Sequence, residues 1–228
     1  MNLVEIGKKY PSSKNISGFI QIYDKYFSNF KDKKINILEI GIEDGDSLRI
    51  WREYFTKAQI CGIDIKKKNF KINNTEILIG DQSNKKFLQS LIGKYDNFDI
   101  IIDDGSHQSK HIIASFKYLF PYLNDGGFYV IEDLQTSYFP RFGGSRINLN
   151  KKSTSMNFIK SLFDSINYEK NDRPFFSKNK FDGKVKSIYL HQNIAFILKG
   201  ESINYFYNLD KKINISDNLL SNWKTHLF

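Results

Sequence analysis

Short apolar runs alternate with amphipathic stretches along the first 133 residues of the chain. Five of these runs read as buried strands, at 35–41, 59–65, 75–81, 97–107 and 126–133. Between them, apolar residues at helical spacing predict helices over 46–55, over 83–95 with Ser83 as the capping residue, and over 107–123. Strands that alternate with helices in this way indicate a parallel sheet covered by helices on both of its faces.

The flanking segments have a different character. An amphipathic helix is expected before the first strand, from the spacing of Ile16, Phe19, Ile20, Tyr23, Phe27 and Phe30. The segment 134–152 contains Pro140 and two glycines and reads as a loop, 153–168 reads as a helix, and 184–191 with 193–200 reads as an antiparallel hairpin. We therefore predict one domain over 1–228, made of a helical cap (1–34), a ligand-binding core (35–133), a loop and helix (134–183), the hairpin (184–200) and a tail (201–228).

Composition narrows the class of protein. A single cysteine, Cys61, excludes a disulfide framework and a multi-cysteine metal site. No apolar run is long enough to cross a membrane and no secretory signal is visible, so a cytoplasmic globular protein is expected. The net charge of +9 comes mainly from lysines scattered in short clusters. Nucleic-acid readers usually concentrate Arg and Lys on one element, so nucleic-acid binding is the less favoured interpretation.

Polar and glycine residues gather where the predicted strands end: Glu39, Gly41, Gly45, Asp64, Asp81, Gln82 and Asp103. Ligands of open parallel sheets bind at these carboxyl ends. The turn around Gly41 has neither the GxGxxG spacing nor a P-loop lysine, and its acidic residues would repel a pyrophosphate. A cationic ligand without phosphate, such as S-adenosylmethionine, fits better, with Asp64 placed to accept hydrogen bonds from ribose hydroxyls.

A second group of carboxylates follows the fourth and fifth strands. Asp104 and the pair Glu132 and Asp133 converge if these strands are neighbours, about 4.8 Å apart. Three carboxylates without cysteine suit a hard cation such as Mg²⁺. His107 lies three residues beyond Asp104, near the expected start of a helix, where the positive helix end disfavours an imidazolium. His107 is therefore a candidate general base for a hydroxyl made acidic by the metal.

The segments ILEIG-IEDGDSLRIW, ICGIDI, ILIGDQS, FDIIIDDGSH and GGFYVIEDLQTSY, with the terminal hairpin, resemble a class I S-adenosylmethionine-dependent methyltransferase. More narrowly, they are similar to the metal-dependent O-methyltransferases that modify deoxysugars of macrolide antibiotics. The resemblance implies a Rossmann-like, mostly parallel seven-stranded sheet with a C-terminal antiparallel hairpin. It implies Mg²⁺ ligands at Asp104, Glu132 and Asp133, a general base at His107, and a cofactor surrounded by Glu39, Gly41, Asp64, Asp81, Gln82 and Asp103. It also suggests Tyr138 and Arg141 as part of the acceptor wall.

The expected function is methyl transfer to a hydroxyl of a sugar or a sugar-containing small molecule, with a nucleotide-linked or surface-glycan precursor as one acceptor class. Two alternatives stay open. One keeps the fold and the cofactor but uses an amine or catechol-type acceptor, and the other is a non-catalytic nucleic-acid-binding module. The relatives that the chain resembles assemble as oligomers, so a homo-oligomer is a further expectation.

Overall fold

The computed structural model describes residues 1–168 and 180–201. Seven strands form one sheet in this part of the chain: β1 (Asn36–Ile40), β2 (Gln59–Asp64), β3 (Thr75–Ile79), β4 (Phe98–Asp103), β5 (Leu123–Ile131), β6 (Val185–His191) and β7 (Ile194–Lys199). The helices are α1 (Leu3–Gly7), α2 (Ser13–Ile16), α3 (Phe19–Phe27), α4 (Asp46–Tyr54), α5 (Lys85–Tyr95), α6 (Ser109–Leu119) and α7 (Ser155–Ile166), with short 3₁₀ turns at Ser28–Phe30, Phe120–Tyr122, Leu134–Tyr138 and Pro140–Phe142.

The strand order is β3-β2-β1-β4-β5-β7-β6. Strands β1 to β5 pair in parallel, and β7 pairs antiparallel with both β5 and β6. This order confirms the predicted fold class, a mostly parallel seven-stranded sheet that ends in an antiparallel hairpin. The chain runs outward from β1 to β3 and then returns to the other side of β1 with β4. Ligands bind at such a switch point, so β1 and β4 frame the place to look for a site.

Two apolar layers hold helices against the two faces of the sheet. In β1, Leu38 and Ile40 face one layer, and Ile37 faces the other. This alternation is what a strand produces when both of its faces are buried. Helices α5, α6 and α7 cover the first face, and α1, α3 and α4 cover the second, where Trp51 is fully buried. The prediction of helices on both faces is confirmed.

Two helix starts differ from the sequence prediction. Ile16 was expected on the buried face of the first amphipathic helix, but it is 91% exposed, because Gly18 adopts a φ of 72° and separates α2 from α3. Helix α5 begins one residue later than expected. The side chain of Asn84, and not that of Ser83, accepts hydrogen bonds from the backbone N–H groups of Lys86 and Phe87.

The boundary between α6 and β5 was also misplaced. The sequence predicted a helix over 107–123 that is closed by the turn 124–127, whereas α6 ends at Leu119 and β5 begins at Leu123. Phe98 pairs with Leu123 and Ile100 with Phe128, so β5 carries extra residues between these pairs. The glycines at 126 and 127 lie in this bulge and not in a helix terminator, because a glycine-rich segment suits either position.

The remaining segments flank the site. Residues 134–152 form a loop with two 3₁₀ turns, and α7 is capped by the hydroxyl of Thr154. The predicted tail 201–228 lies outside the described residues except for Glu201. Among the described helices, none combines the length and the apolar character needed to cross a membrane.

Candidate methyl-transfer site

The turn after β1 brings the backbone very close to the loop after β4. Gly41 has a φ of 82°, and a Cβ atom at this position would lie 2.2 Å from the carbonyl oxygen of Asp104. Gly45 also has a positive φ and precedes α4, with the ring of Phe70 against it. Only glycine tolerates this combination of backbone conformation and contact. Both predicted glycines therefore shape the same turn.

Glu39 lies fully buried at the end of β1. Its Oε2 accepts a hydrogen bond of 2.9 Å from the hydroxyl of Ser47, while its Oε1 has no hydrogen-bond partner among the described residues. Burial raises the pKa of Glu39, and Lys14 opposes this effect. Lys14 Nζ lies 3.5 Å from this oxygen, which can still accept a hydrogen bond from an N–H group of a ligand.

Asp64 closes β2 and already accepts several hydrogen bonds. Its donors are Lys68 Nζ at 2.8 Å and the backbone N–H groups of Lys66 at 2.9 Å and Ile42 at 3.2 Å. Partial burial acts to raise the pKa of Asp64, but these donors outweigh it and the pKa is lowered. Asp64 is therefore held as an anion at the edge of the switch-point cleft.

Asp81, Gln82 and Asp103 organise the loops after β3 and β4. Gln82 Oε1 accepts the backbone N–H of Ser106 at 2.8 Å, and its Nε2 donates to Asp103 Oδ1 at 2.9 Å. Asp103 is buried and also accepts from Ser115 Oγ at 2.6 Å. Burial raises the pKa of Asp103, and a backbone and a side-chain hydrogen bond from Ser83 lower the pKa of Asp81. The Asp103 carboxylate thus points into the protein, whereas Asp81 and Gln82 line the cleft.

Asp104, His107 and Asp133 come together at the ends of β4 and β5. One potential ligand atom from each side chain lies within 4.8 Å of the other two, and all three residues are half-buried. His107 Nε2 is 3.5 Å from Asp133 Oδ2. Both His107 and Asp133 have a φ of 54°, a left-handed conformation that is uncommon outside glycine and is often found at functional sites. His107 precedes α6 by two residues, so it lies in the loop and not on the helix.

Glu132 is a neighbour of Asp133 in sequence but faces another environment. It is 2% exposed, and its Oε1 accepts hydrogen bonds from Lys14 Nζ at 2.6 Å and from Tyr23 OH at 2.5 Å. Burial and the charge of Asp104 raise the pKa of Glu132 to about 8. Lys14 Nζ also lies 2.7 Å from Asp104 Oδ2. Lys14 therefore joins two of the three predicted metal ligands.

The loop that follows β5 lies against His107. The ring of Phe142 is 6.3 Å from the His107 ring between centroids, and Gln108 Nε2 donates to the backbone oxygen of Arg141 at 2.9 Å. The Arg141 guanidinium stacks over Phe142 at 4.8 Å. Tyr138 is 39% exposed on the same loop. This places both predicted acceptor residues on the loop beside His107.

Three depressions meet at Gly41. One of about 170 Å³ is lined by Asp64, Asp81, Gln82 and His111, and one of about 250 Å³ by residues 11–14 and by Ser47 and Asp104. The third, of about 440 Å³, contains Asp104, His107, Asp133 and two lysines, Lys66 and Lys68. An elongated ligand across the switch point would fill the first two and face the third.

Several residues of this region were not identified from sequence. Lys14, Tyr23 and Ser47 contact Glu39 or Glu132, and Ser106 Oγ lies 2.9 Å from His111 Nδ1 in the first depression. Lys14 lies on the four-residue helix α2, outside every periodic apolar pattern, and so gives no local signal. Tyr23 was identified only as a packing residue, because helical spacing reports burial and not the position of a hydroxyl.

Two of the relatives with known activity are about one-third identical to this chain over the residues that align. Mycinamicin VI 2''-O-methyltransferase of Micromonospora griseorubida is 35% identical over 213 residues, which cover 88% of this chain and 53% of that protein. The 8-demethyl-8-alpha-L-rhamnosyl tetracenomycin-C 2'-O-methyltransferase of Streptomyces olivaceus is 36% identical over 193 residues, which cover 81% and 50%. The chain therefore spans about half the length of the curated relatives it matches, and no family model matches it.

Comparison with solved structures finds similarity to the same group of proteins. MycE methyltransferase from the mycinamycin biosynthetic pathway, in complex with Mg, SAH and mycinamycin VI, has a TM-score of 0.84 and 34% identity, covering 90% of this chain and 55% of that one. A ribosomal RNA methyltransferase from Plasmodium falciparum has a TM-score of 0.54 at 17% identity, and so shares the fold alone.

Proposed function

Because the chain belongs to the class I S-adenosylmethionine-dependent methyltransferases and resembles those that methylate antibiotic deoxysugars, we propose that it methylates a hydroxyl of a sugar or sugar-containing small molecule. The observation that carries this proposal is the convergence of Asp104, His107 and Asp133 beside the Gly41 turn. It supplies hard oxygen ligands and a proton acceptor next to a cleft that fits an elongated cationic ligand.

The residues present fit both groups that this activity needs. Asp104 and Asp133 would hold Mg²⁺, since carboxylate oxygens are its preferred protein ligands, and Glu132 stays a candidate ligand behind them. Asp64, Asp81, Gln82 and Gly41 would hold the cofactor. Oε1 of buried Glu39 lies 3.5 Å from Lys14 Nζ and accepts no hydrogen bond from the described residues, so it offers an acceptor for the cofactor's amino group. When bound, Mg²⁺ makes an acceptor hydroxyl more acidic and S-adenosylmethionine supplies an electrophilic methyl group.

The chain's own residues then have three tasks. His107 takes the proton from the acceptor hydroxyl, and its Nε2 lies 3.5 Å from Asp133 Oδ2, at the edge of the proposed metal site. The Gly41 turn, which packs against the β4 loop, would form part of the cleft that holds the cofactor. The hydrogen bonds of Gln82 to Ser106 and Asp103 keep that loop in place, so that acceptor and methyl group are aligned.

The acceptor would enter past the loop that carries Tyr138, Arg141 and Phe142. Lys66 and Lys68 lie in the same depression as His107, together with four carboxylates, and Lys68 is paired with Asp64 at 2.8 Å. The support for an acceptor that carries phosphate, such as a nucleotide-linked sugar or a surface-glycan precursor, is therefore the net charge of +9 of the whole chain. If so, raising the ionic strength increases the KM for the acceptor, whereas an unchanged KM contradicts a phosphate-bearing acceptor.

The test combines binding and turnover. Calorimetric titration with S-adenosylhomocysteine should show binding in the micromolar range, and methyl transfer to nucleotide-linked sugars should require Mg²⁺ and stop in EDTA. Full methyl transfer to the sugar hydroxyl in EDTA would contradict the metal-assisted step, whereas activity in EDTA on an amine acceptor alone would favour the amine alternative, which needs no metal. No cofactor binding with or without Mg²⁺ would overturn the proposal.

Two substitutions separate the roles of the site residues. His107→Ala should abolish turnover and leave S-adenosylhomocysteine binding intact, and Asp104→Asn should remove most of the response to Mg²⁺. The matched control for the first is His191→Ala. His191 lies on β6, where its ring contacts Tyr26, and its removal should leave kcat unchanged. A near-normal rate for His107→Ala would exclude His107 as the base.

The same proposal includes the quaternary structure, since the enzymes that the sequence resembles assemble as oligomers. We propose that the chain acts as a homo-oligomer, and light scattering across a concentration series tests this directly. A monomer at all concentrations with full activity would refute the oligomer and leave the methyl-transfer proposal standing.

A further inference from the structure

Lys14 is a buried cation in the middle of the acidic cluster. Its side chain is 2% exposed, and its Nζ lies 2.6 Å from Glu132 Oε1, 2.7 Å from Asp104 Oδ2 and 3.5 Å from Glu39 Oε1. A buried lysine is rare unless it is paired. Burial alone acts to lower the pKa of Lys14, but the three carboxylates raise it well above its ordinary value of 10.5, so the ammonium is charged at neutral pH.

The position of Lys14 connects two parts of the site. Glu39 belongs to the cofactor side of the cleft, whereas Asp104 and Glu132 belong to the side proposed for the metal. The residue comes from α2, which also forms a wall of the depression that contains Ser47 and Asp104. Residues far apart in sequence therefore meet at one ammonium group.

We propose that Lys14 is the resident counter-ion of this cluster, which stabilises the metal-free protein and competes with a divalent cation for Asp104 Oδ2 and Glu132 Oε1. This inference rests on the proposed function, because it assumes a metal at Asp104. Without Lys14, the carboxylates of Glu39, Asp104 and Glu132 would lie together in a buried region with no cation.

Competition follows from charge and distance. A carboxylate oxygen that binds an ammonium at 2.7 Å and a divalent cation at about 2.1 Å would hold the two positive charges only about 4 Å apart. Their repulsion in a poorly hydrated site weakens metal binding. Lys14 is therefore a positioning residue: it stabilises the carboxylates of Glu39, Asp104 and Glu132 when no metal is bound, and it weakens metal binding.

The experiment uses Lys14→Met, which keeps the length of the side chain and removes its charge. Mn²⁺ replaces Mg²⁺ as the probe, because free Mn²⁺ is counted directly by electron paramagnetic resonance. We expect Lys14→Met to bind Mn²⁺ at least about tenfold more tightly than the natural protein. In EDTA its Tm should be lower than that of the natural protein, and the rise in Tm on adding Mn²⁺ should be larger.

Two further variants control for charge and packing. Lys9→Met removes a lysine of the same N-terminal segment whose partner, Glu53, lies outside the cluster, and its Mn²⁺ affinity should be unchanged. Lys14→Arg keeps the charge and should restore weak Mn²⁺ binding. If Lys14→Met does not fold, the double variant Lys14→Met with Glu39→Gln balances the lost charge, and it should still bind Mn²⁺ more tightly than the natural protein.

The outcomes distinguish this inference from the proposed function. If neither the natural protein nor Lys14→Met binds Mn²⁺, the proposed metal site is refuted and the inference with it. A natural protein that binds Mn²⁺ with the same or higher affinity than Lys14→Met would refute the inference alone. A purely structural lysine would lower the Tm in EDTA without changing the Mn²⁺ dissociation constant, which is the readout that decides.

Discussion

Substitution of Gly41 by alanine tests whether the close approach of two loops builds the site. The added Cβ would lie 2.2 Å from the carbonyl oxygen of Asp104 and 2.6 Å from the Cα of Gly105. Ordinary contacts to a Cβ are longer than about 3 Å, so one of the loops must move by about 1 Å. The atoms in the way belong to the backbone and cannot rotate aside.

The cost of Gly41→Ala has two parts, and the protein contains a control for one of them. Gly126 has the same φ of 82°, but nothing lies within 4 Å of its added Cβ. Gly126→Ala should therefore lose only the left-handed strain of about 1–2 kcal/mol. Gly41→Ala should lose this and about 1–3 kcal/mol more from overpacking.

Urea unfolding gives the stabilities, and calorimetry gives the affinity for S-adenosylhomocysteine. Gly41→Ala should be less stable than Gly126→Ala and should bind S-adenosylhomocysteine at least about tenfold more weakly, since a displacement of about 1 Å reaches the cleft. Gly126→Ala should bind like the natural protein. Equal stability and equal affinity in the two variants would refute the role of the close approach.

Two further predictions concern buried acids. The pKa of Glu132 is raised to about 8, so the folded state binds this proton more tightly and loses stability as the pH rises from its unfolded value of 4.5 through about 8. In EDTA, Glu132→Gln should therefore become progressively more stable relative to the natural protein as the pH rises through this range, as measured by urea unfolding; a difference independent of pH would contradict this. Ser115→Ala removes the 2.6 Å hydrogen bond to buried Asp103 and should lower the free energy of unfolding by about 1–3 kcal/mol. The control, Ser90→Ala at an exposed serine, should lower it by less than about 0.5 kcal/mol. Equal losses of stability in the two variants would contradict a stabilising hydrogen bond to Asp103.

The sequence predicted the strands and the neighbouring positions of β4 and β5 well, since each buried strand is a local apolar pattern. Segments such as 35–41 and 59–65 are bounded by polar residues or glycine, and the alternation with helices implies parallel pairing. The predicted ends of helices and strands were wrong where the same residue type is common in two kinds of position. Asn84 and Ser83 both cap helices well, and the glycines at 126 and 127 suit a bulge as readily as a helix end.

The sequence predicted those contacts of the candidate site that follow from which strands are neighbours in the sheet. Asp104 and Asp133 follow neighbouring strands, so their meeting is a consequence of strand order alone. The contacts of Lys14 were not predictable in this way. They join residues 90 and 118 positions apart, and they depend on how α2 packs over the end of the sheet.

Glu132 and Asp133 show why adjacency in sequence is a weak guide to a shared ligand. Successive side chains of an extended strand point to opposite faces. Glu132 continues this alternation toward Tyr23 and Lys14, on the layer that α3 covers, and the left-handed turn at Asp133 aims its carboxylate toward His107. Asp104 lies between the two, in contact with Lys14 Nζ at 2.7 Å and within 4.8 Å of the His107 and Asp133 ligand atoms. A cation at Asp104 and Asp133 that also used Glu132 Oε1 would share this oxygen with Lys14, so the Mn²⁺ affinity of Lys14→Met also reports whether Glu132 Oε1 is a ligand.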